Sequence, residues 1–370
     1  MRKTPIYLDN NATTPLRAAA ITAMQDAMGP PANPSSVHGF GRNARLVVET
    51  SRNAVAMLAK CRASDVVFTS GGTEANNLVM AQYDHVITSA IEHDSVRHAH
   101  QNCHQIAVDE NGIVDLDMLA TAIAGIDDAA KPRTLISIMA ANNETGVIQP
   151  MDEIAAIAES ANIVLHSDMV QIFGKRHINF AASKISYASL SAHKIGGPSG
   201  VGALLVRPGC RLSSLLRGGG QEHGRRAGTE NLVGIAGFGG AADDAVGDIG
   251  HYQTMAKWRD DFESRILDQR SGIAVFGRDA PRLGNTSCIA ASGKAAETMV
   301  MAFDIAGVAI SAGSACSSGK IKPSHVLESM GAGLRAGEAI RISGGWATTK
   351  SDFETLADVF LQLYKQPHII

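Results

Sequence analysis

Short apolar runs alternate with segments of helical periodicity over much of the chain. The runs have the length and the β-branched content of buried strands. They are Val66–Thr69, His85–Thr88, Gln105–Val108, Thr134–Met139, Ile163–Ser167, Ile185–Leu190 and Gly202–Val206. Helical spacing is found in Ala18–Met28, Gly41–Lys60, Asp117–Ala124 and Asp152–Ser160. Because strands that alternate with helices favour a parallel sheet, the pattern predicts an α/β fold with a mostly parallel sheet covered by helices.

The pattern changes near residue 270, where the predicted strands become shorter. Helices at Leu232–Val246 and Asp260–Asp268 precede this change. The later strands are predicted at Ile273–Phe276, Thr286–Ile289, Val308–Ser311 and Ile340–Ser343, and the later helices at Ala296–Phe303 and Phe353–Leu363. This arrangement indicates a second, smaller α+β unit.

Composition and charge exclude several classes of protein. The chain has 370 residues, of which 45% are hydrophobic and 19% charged, which is typical of a globular protein with a large core. A net charge of −3 gives no reason to expect a nucleic acid partner. No apolar stretch approaches the roughly 18 residues of a membrane span, and Met1–Pro5 lacks the apolar region of a secretion signal. We therefore expect a cytoplasmic protein without a membrane partner.

The cysteines favour a reducing compartment. The chain has 5 cysteines, which are far apart and form no Cys-x-x-Cys pair. Such an arrangement argues against a disulfide framework and against a structural zinc site. A cluster at His93, His98, His100 and His104 lacks the spacing of a metalloprotease, so no resident metal is expected.

Polar residues follow the predicted strands, at the sheet edge where α/β proteins bind ligands. They are Gly71, Gly72 and Thr73; Glu92 and His93; Asn142, Asn143 and Glu144; Asp168 and Gln171; and Ser191, His193 and Lys194.

Lys194 comes at the end of a predicted strand, directly before a turn rich in glycine and proline. A lysine held there with few water contacts loses part of its preference for the charged form, and the resulting neutral amine can form a Schiff base. The alternative is an ordinary surface lysine at the mouth of a loop.

Gly71, Gly72 and Thr73 join a strand to the start of a helix. Free backbone amides at such a helix start, together with the Thr73 hydroxyl, would suit a phosphate group. The spacing matches neither a Walker A loop nor a dinucleotide fingerprint. A glycine-rich helix cap without a ligand is the alternative interpretation.

Taken together, these residues match the needs of pyridoxal 5′-phosphate. Lys194 would bind the aldehyde, and Gly72 and Thr73 the phosphate, while Asp168 would face the ring nitrogen and keep it protonated. Gln171 could bond the ring oxygen O3′ and His93 could stack on the ring. The alternatives are a helix N-cap for Asp168 and a histidine without function for His93.

One cysteine lies in a run of small residues, Ser311–Lys320, that is typical of an exposed loop. An exposed thiol on such a loop is a candidate for reactivity, whereas a buried thiol is inert. This residue is Cys316, and the alternative is an incidental surface cysteine.

The ordered motifs resemble the cysteine desulfurase family, the NifS/IscS type of fold-type-I pyridoxal-phosphate enzyme, over nearly the whole chain. The matching segments are Tyr7–Pro15, Asn33–Ser36, Phe68–Asn77, Glu92–His93, Asn142–Gly146, Asp168–Gln171, Ser191–Lys194, Gly218–Thr229, Ser314–Cys316 and Ile340–Ser343. Several of them are weak alone, but their number and order are specific.

The resemblance implies a fold and a division of the chain. The fold is α/β, with a seven-stranded, mostly parallel sheet in a large cofactor-binding domain at residues 16–255. A small domain, made of residues 1–15 and 256–370, carries the loop of the catalytic cysteine.

The resemblance also implies roles for individual residues. Lys194 carries the cofactor, Asp168 pairs with its ring nitrogen, Gln171 with its phenolic oxygen, and His93 stacks on it and moves protons. The phosphate is held by Gly72, Thr73, Ser191 and His193, and by Thr229 of a neighbouring subunit, which implies a homodimer. Asn143 and Arg341 bind the substrate carboxylate, Arg341 as a bidentate ion pair, and Cys316 attacks the sulfur of L-cysteine.

Some features depart from the family pattern. Met169 stands where a small residue is usual, and Ser199 where lysine is common. The chain ends at Ile370 without the longer extension that some members use to dock an iron–sulfur scaffold protein, so scaffold docking is left open. Any contact of Cys316 with an iron–sulfur cluster would be transient.

Two other kinds of function remain open at this point. A selenocysteine lyase, or an aminotransferase of small amino acids, would use the same fold. The second is a sulfur carrier or assembly platform without catalytic activity.

Overall fold

The structure is a computed structural model that describes residues 5–29, 31–313 and 323–364. Its helices are α1 (Ala18–Ala27), α2 (Gly39–Ala59), α3 (Gly72–Met80), α4 (Asp94–Arg97), α5 (Leu116–Ala124), α6 (Met151–Ser160), α7 (Leu232–Ala245), α8 (Ile249–Gln269), α9 (Ala296–Ile305), α10 (His325–Ser329) and α11 (Lys350–Leu363). Its strands are β1 (Ile6–Tyr7), β2 (Val66–Thr69), β3 (His85–Ser89), β4 (Cys103–Ile106), β5 (Thr134–Ser137), β6 (Val164–Asp168), β7 (Tyr187–Ser191), β8 (Gly202–Val206), β9 (Ile273–Val275), β10 (Thr286–Ala291), β11 (Val308–Ala309), β12 (Ser311–Ala312) and β13 (Ala339–Ser343).

A seven-stranded sheet forms the centre of the larger part of the fold. Its strand order is β2-β8-β7-β6-β5-β3-β4. The neighbours from β7 to β4 pair in parallel, whereas β8 is antiparallel to both β2 and β7. Helices and the buried apolar side chains of the strands make the largest hydrophobic core. The predicted α/β class with a mostly parallel seven-stranded sheet is therefore confirmed.

Two boundaries differ from the prediction for reasons that the structure makes clear. Strand β4 ends at Ile106, because Val108 turns away to form an isolated bridge with Val114. Helix α8 begins eleven residues before the predicted start at Asp260 (260 − 249 = 11). Its first turns bury Ile249, Tyr252 and Met255, whose spacing of three residues places them on one helix face.

The free edge of β2 is closed by an ion pair. Glu222, in the glycine-rich loop, accepts from the main-chain amide of Phe68 at 2.9 Å. Arg52, on α2, donates to the main-chain oxygen of Val66 at 2.9 Å. Arg52 and Glu222 bind each other through two hydrogen bonds of 2.7 and 2.8 Å, and both are buried. This pair anchors the glycine-rich loop to the sheet.

A second sheet has the antiparallel order β12-β13-β10-β9 and packs on α8, α9 and α11. The N-terminal strand β1 pairs in parallel with β11, and Asp9 then bridges to Ser343 of β13. After β1 the chain turns, and the polar side chains of Asn10 and Asn11 are buried. The division into domains at residues 15 and 255 stays a prediction. None of the helices in the described ranges is both long enough and apolar enough to cross a bilayer.

Candidate active site

One cavity of about 640 Å³ lies beyond the carboxyl ends of the central strands. Among the residues that line it are the predicted site residues Gly72, Thr73, His93, Asn143, Asp168, Gln171, Ser191, His193, Lys194 and Arg341. Thr229 instead lines a smaller cavity together with Ser70 and Gly200. Cys316 lies outside the described residues. The structure therefore brings together every described site residue that was predicted, apart from Thr229.

Lys194 closes a short 3-10 turn that follows β7 directly. Its amine donates to the main-chain oxygens of Asn11 and Ala12 at 2.6 and 2.7 Å. Burial, and then the nearby Arg341 guanidinium, lower the pKa of Lys194 to about 8, against the pull of two carboxylates. The amine therefore loses its proton more readily than that of an exposed lysine.

The turn after Lys194 needs a glycine at position 196. Gly196 has a φ of +86°, and a Cβ there would lie 2.7 Å from the Arg17 side chain. Arg17 donates from Nε to the main-chain oxygen of Ile195 at 2.6 Å. The buried guanidinium thus holds the residues that follow Lys194, and the predicted position of this lysine at a strand end before a forced turn is confirmed.

Asn11 connects the two parts of the fold beneath the cavity. Its main-chain oxygen accepts from the amide of Gln171 at 3.1 Å, in addition to Lys194. Its side-chain oxygen accepts from Lys175 at 3.1 Å, and Lys175 also donates to Oε1 of Gln171 at 3.0 Å. Lys175 is buried, and burial, with repulsion from Lys194 and Arg341, lowers its pKa to about 7.

The start of α3 forms a narrow cradle. The first amides of a helix lack intrahelical acceptors, and those of Gly72 and Thr73 occupy this position. A Cβ on Gly72 would lie 2.8 Å from Cγ2 of Val170, so a larger residue would push into the loop after β6. His193, close by, has its pKa lowered to about 4 by burial and by Lys194, so it is neutral near pH 7.

Asp168 ends β6, and its two carboxylate oxygens have separate partners. Oδ1 accepts from the main-chain amide of Val170 at 3.0 Å. Oδ2 accepts from the side-chain amide of Asn76, on α3, at 2.8 Å. The carboxylate is buried and lines the cavity. No helix is assigned directly after Asp168 in the described residues, although the bond from the Val170 amide is of the kind that a helix cap makes.

His93 precedes the short helix α4 and accepts through Nδ1 from the main-chain amide of Ser95 at 3.1 Å. The Ser95 hydroxyl lies 2.8 Å from the same ring nitrogen. The residue before it, Glu92, is fully buried, and burial raises its pKa to about 8. The two contacts of Nδ1 fix the orientation of the His93 ring at the cavity wall.

Arg341, on β13, reaches the cavity from the smaller sheet. It donates to Oδ1 of Asp9 at 2.7 Å and to the main-chain oxygen of Asn143 at 3.3 Å. Its Nε is buried and has no hydrogen-bond partner within the described ranges. The guanidinium itself lines the cavity and supplies positive charge there.

Both ends of the segment that carries Cys316 lie at the cavity, because Gly313 and Pro323 line it. The buried Glu144 accepts from the Ser324 hydroxyl at 2.6 Å, and a Cβ on Gly313 would lie 2.6 Å from its Oε2. Glu144 therefore packs against the residues on each side of this segment. Burial raises the pKa of its carboxyl.

The sequence pattern did not indicate four polar residues at or behind the cavity, which are Asn11, Asn76, Ser95 and Lys175. Asn11 and Asn76 lie inside motifs that were recognised, but nothing in the sequence pattern separates them from their neighbours. Their importance comes from contacts between residues far apart in the chain. A polar residue inside an apolar helical stripe was the one signal that could have found Asn76, because burial of an amide requires partners.

Comparisons with known proteins cover almost the whole chain. It matches the aminotransferase class-V family over residues 6–356. A cysteine desulfurase of Cereibacter sphaeroides is 39% identical over 380 residues, covering 98% of this chain and 96% of the relative. The cysteine desulfurase IscS of Dictyoglomus turgidum is 36% identical over 385 residues, covering 98% and 95%.

The fold is similar to solved structures as well. A NifS-like protein from Rickettsia africae superposes with a TM-score of 0.90 at 35% identity, covering 97% of this chain and 99% of that one. A second NifS-like protein gives a TM-score of 0.87 at 31% identity, with the same coverage. The matched residues 6–356 include all the described residues that line the cavity.

Proposed function

This chain belongs to the aminotransferase class-V family, and we propose that within it the chain is a cysteine desulfurase that uses pyridoxal 5′-phosphate. It converts L-cysteine to L-alanine and keeps the sulfur as a persulfide on Cys316. The observation that carries the proposal is that the Lys194 amine, the Asp168 carboxylate and the Arg341 guanidinium line one cavity. Full-length relatives that are named cysteine desulfurases support the reaction.

The described residues of the cavity fit pyridoxal 5′-phosphate. Lys194 is an amine whose pKa is lowered to about 8, which suits attachment of an aldehyde. The amides at the start of α3 suit a phosphate, since a helix N-terminus attracts anions and a side chain on Gly72 would fill the space. When bound, the cofactor supplies an electron sink that stabilises negative charge on the α-carbon of the substrate.

Four residues would orient this group. Asp168 would accept from the ring nitrogen, and Gln171, whose Oε1 is occupied by Lys175, would donate from Nε2 to the phenolic oxygen. His93 would stack on the ring face. Ser191 would add a hydroxyl to the phosphate cradle, next to the neutral His193.

Substrate recognition would depend on Arg341 and Asn143. The carboxylate of an amino acid would accept from the guanidinium of Arg341, which lines the cavity. Asp9 holds the same guanidinium from the other side at 2.7 Å. A planar guanidinium fixed in this way binds a carboxylate with a defined orientation.

Lys194 is the base that we assign to the α-proton. Its free Nζ would accept the proton, since the pKa of Lys194, about 8, lies near the working pH. The main-chain oxygens of Asn11 and Ala12 then accept hydrogen bonds from the resulting ammonium.

Sulfur transfer is assigned to Cys316. Its thiolate attacks the substrate sulfur, so that an S–S bond forms while the C–S bond of the substrate breaks. The β-carbon gains the electron pair and a proton and becomes the methyl group of alanine, and the enzyme thiol is oxidised to a persulfide. Gly313 and Pro323, the described residues on each side of the segment with Cys316, line the cavity in which we propose that the substrate binds.

Beyond the reaction, we propose a homodimer in which Thr229 of one subunit binds the cofactor phosphate in the site of the other subunit. The position of Thr229 outside the cavity of its own chain agrees with this arrangement. A sulfur acceptor or an iron–sulfur scaffold protein would then take up the persulfide sulfur. We also propose a cytoplasmic location. It agrees with the described cysteines at positions 61, 103, 210 and 288, which are all free thiols, as is usual in a reducing compartment.

The test is to incubate the protein with pyridoxal 5′-phosphate and L-cysteine, measure alanine, and trap the modified thiol with an alkylating reagent for mass spectrometry. We expect alanine in step with a persulfide on the Cys316 peptide, and neither in Cys316→Ser. Undiminished sulfide release by Cys316→Ser would contradict the assignment, and formation of a 2-oxo acid would indicate aminotransfer. A strong preference for L-selenocysteine would indicate a selenocysteine lyase. If the protein shows no cofactor absorption band that is lost in Lys194→Ala, a sulfur carrier without catalytic activity is indicated.

A further inference from the structure

The side-chain amide of Asn76 joins two elements of the site. Asn76 lies on α3 and is fully buried. Its Nδ2 donates to Oδ2 of Asp168 at 2.8 Å and to Oγ of Ser95 at 2.8 Å. An amide nitrogen carries two hydrogens, so these contacts use both of them.

The Ser95 hydroxyl connects the Asn76 amide to the His93 ring. Since its oxygen accepts from Asn76, its proton is free to be donated to Nδ1 of His93 at 2.8 Å. The main-chain amide of Ser95 donates to the same nitrogen at 3.1 Å, and a main-chain amide can only donate. Nδ1 is thus the acceptor, and the neutral ring carries its proton on Nε2.

The orientation of the Asn76 amide is fixed by Asp168, at a cost. Its Oδ1 is buried and has no hydrogen-bond partner within the described residues. Turning the amide over would set this oxygen against the Asp168 carboxylate, which is an acceptor only when ionised. An unsatisfied buried oxygen costs free energy. The contact with Asp168 must therefore outweigh that cost.

We propose that Asn76 and Ser95 are positioning residues that tie the Asp168 carboxylate to the His93 imidazole and hold the His93 proton on Nε2. Asp168 ends β6, and His93 follows β3, with β5 between these two strands in the sheet. The chain of hydrogen bonds therefore crosses a whole strand. The proposal rests on the proposed function, because Asp168 and His93, at the two ends of this series of hydrogen bonds, would contact one cofactor ring.

The first test uses the cofactor-free protein with ¹⁵N-labelled histidine rings. The chain has 13 histidines, so a His93→Gln variant is needed to identify the His93 signals. We expect a protonated Nε2 and an unprotonated Nδ1 in the wild-type protein. We also expect the Nδ1 signal to change in Asn76→Ala and Ser95→Ala, and to return in Ser95→Thr, which keeps the hydroxyl.

The control is Asn77→Ala, the neighbouring residue on α3. Its amide donates to the main-chain oxygens of Thr73 and Ser95, but to neither Asp168 nor His93. The His93 ring signals should stay as in the wild-type protein. A proton on Nδ1 of wild-type His93, or identical ring signals in Asn76→Ala and the wild-type protein, would overturn the proposal.

The second test is the affinity for pyridoxal 5′-phosphate, measured by fluorescence titration. Loss of a charge-assisted hydrogen bond to Asp168 should raise Kd about tenfold or more in Asn76→Ala, and less than about twofold in Asn77→Ala. An equal effect of the two variants would mean that Asn76 only stabilises α3. Thermal unfolding identifies a variant that is not folded, in which case Ser95→Ala and its rescue by Ser95→Thr decide.

The two proposals fail separately. If the wild-type protein releases no alanine but the ring signals behave as expected, the hydrogen-bond chain stands and the desulfurase assignment fails. If alanine is released and neither the ring signals nor Kd respond to Asn76→Ala, the chain of positioning residues is wrong and the reaction stands.

Discussion

Lys175 donates to the side-chain oxygen of Asn11 at 3.1 Å, and Lys194 donates to the main-chain oxygen of the same residue at 2.6 Å. Two amines thus meet at one buried asparagine. Burial, and then repulsion from Lys194 and Arg341, lower the pKa of Lys175 to about 7, well below that of an exposed lysine. Lys175 also acts on the site through its hydrogen bond to Gln171.

The first prediction concerns Lys194→Met, which roughly keeps the length of the side chain and removes the charge. Lys194 is still charged at the pH where Lys175 titrates, so loss of its repulsion should raise the pKa of Lys175 above about 7. Competitive acetylation between pH 6 and 11, quantified on the Lys175 peptide, measures the midpoint. A Lys184→Met variant on the surface is the control. A midpoint that is unchanged or lower in Lys194→Met would contradict the prediction.

The second prediction concerns the phosphate cradle. In Gly72→Ala the new Cβ meets Val170 at 2.8 Å, so the start of α3 must shift and the cofactor should bind at least about tenfold more weakly. Gly250→Ala is the matched control, since Gly250 lies in α8 with open space around it. Titration with pyridoxal 5′-phosphate compares the two. Equal affinity in both variants would exclude a close fit at Gly72.

The third prediction separates substrate binding from cofactor binding. Arg341→Lys keeps the charge but loses the planar fork and the Nε donor, so KM for L-cysteine should rise by about ten- to a hundredfold. The absorption spectrum of the bound cofactor should stay as in the wild-type enzyme, because this residue is assigned to the substrate alone. Steady-state kinetics with alanine detection measure KM. An altered spectrum with unchanged KM would reverse the assignment.

The fourth prediction concerns the anchor of the glycine-rich loop. Glu222→Ala leaves the buried Arg52 guanidinium with only the half-exposed Glu49 carboxylate at 3.2 Å, so the free energy of unfolding should fall towards the lower end of about 3–5 kcal/mol. Arg52→Met combined with Glu222→Leu removes both charges and should recover part of this loss. Urea denaturation measures each variant.

The matched control for this anchor is an exposed ion pair. Lys350 and Glu354 lie 3.4 Å apart on α11 with more than half of each side chain exposed. Lys350→Ala should change the free energy of unfolding by less than about 0.5 kcal/mol. A similar effect of Glu222→Ala and Lys350→Ala would mean that the buried pair does not hold the loop.

The central sheet could be predicted because its strands are short apolar runs bounded by polar residues. Val66–Thr69 and Gly202–Val206 were predicted to the residue, since both ends of each run are marked by a change of polarity or by glycine. Helix α8 was predicted too short, because its first turns mix the buried Ile249 and Tyr252 with glycine and polar residues. Local pattern does not reveal such a helix start when packing against other elements determines it.

The site was predictable where a residue ends a strand, as Asp168 does, or follows one closely, as Lys194 does. Asn76 and Lys175 follow no strand end, and their partners Asp168 and Gln171 lie 92 and 4 residues away in the sequence. Sequence pattern predicts which groups face a ligand, whereas the groups behind them depend on the assembled fold. The resemblance to a family supplied the role of Arg341, which no local pattern indicates.

The pair of Arg52 and Glu222 also affects how molecules of this protein behave towards one another. A sheet whose last strand shows open amide and carbonyl groups can recruit a strand from a second molecule, which begins aggregation. Here the two charged side chains occupy the amide of Phe68 and the carbonyl of Val66, as a neighbouring strand would. The same contact that fastens a loop therefore also protects the protein from self-association along this border when it is concentrated.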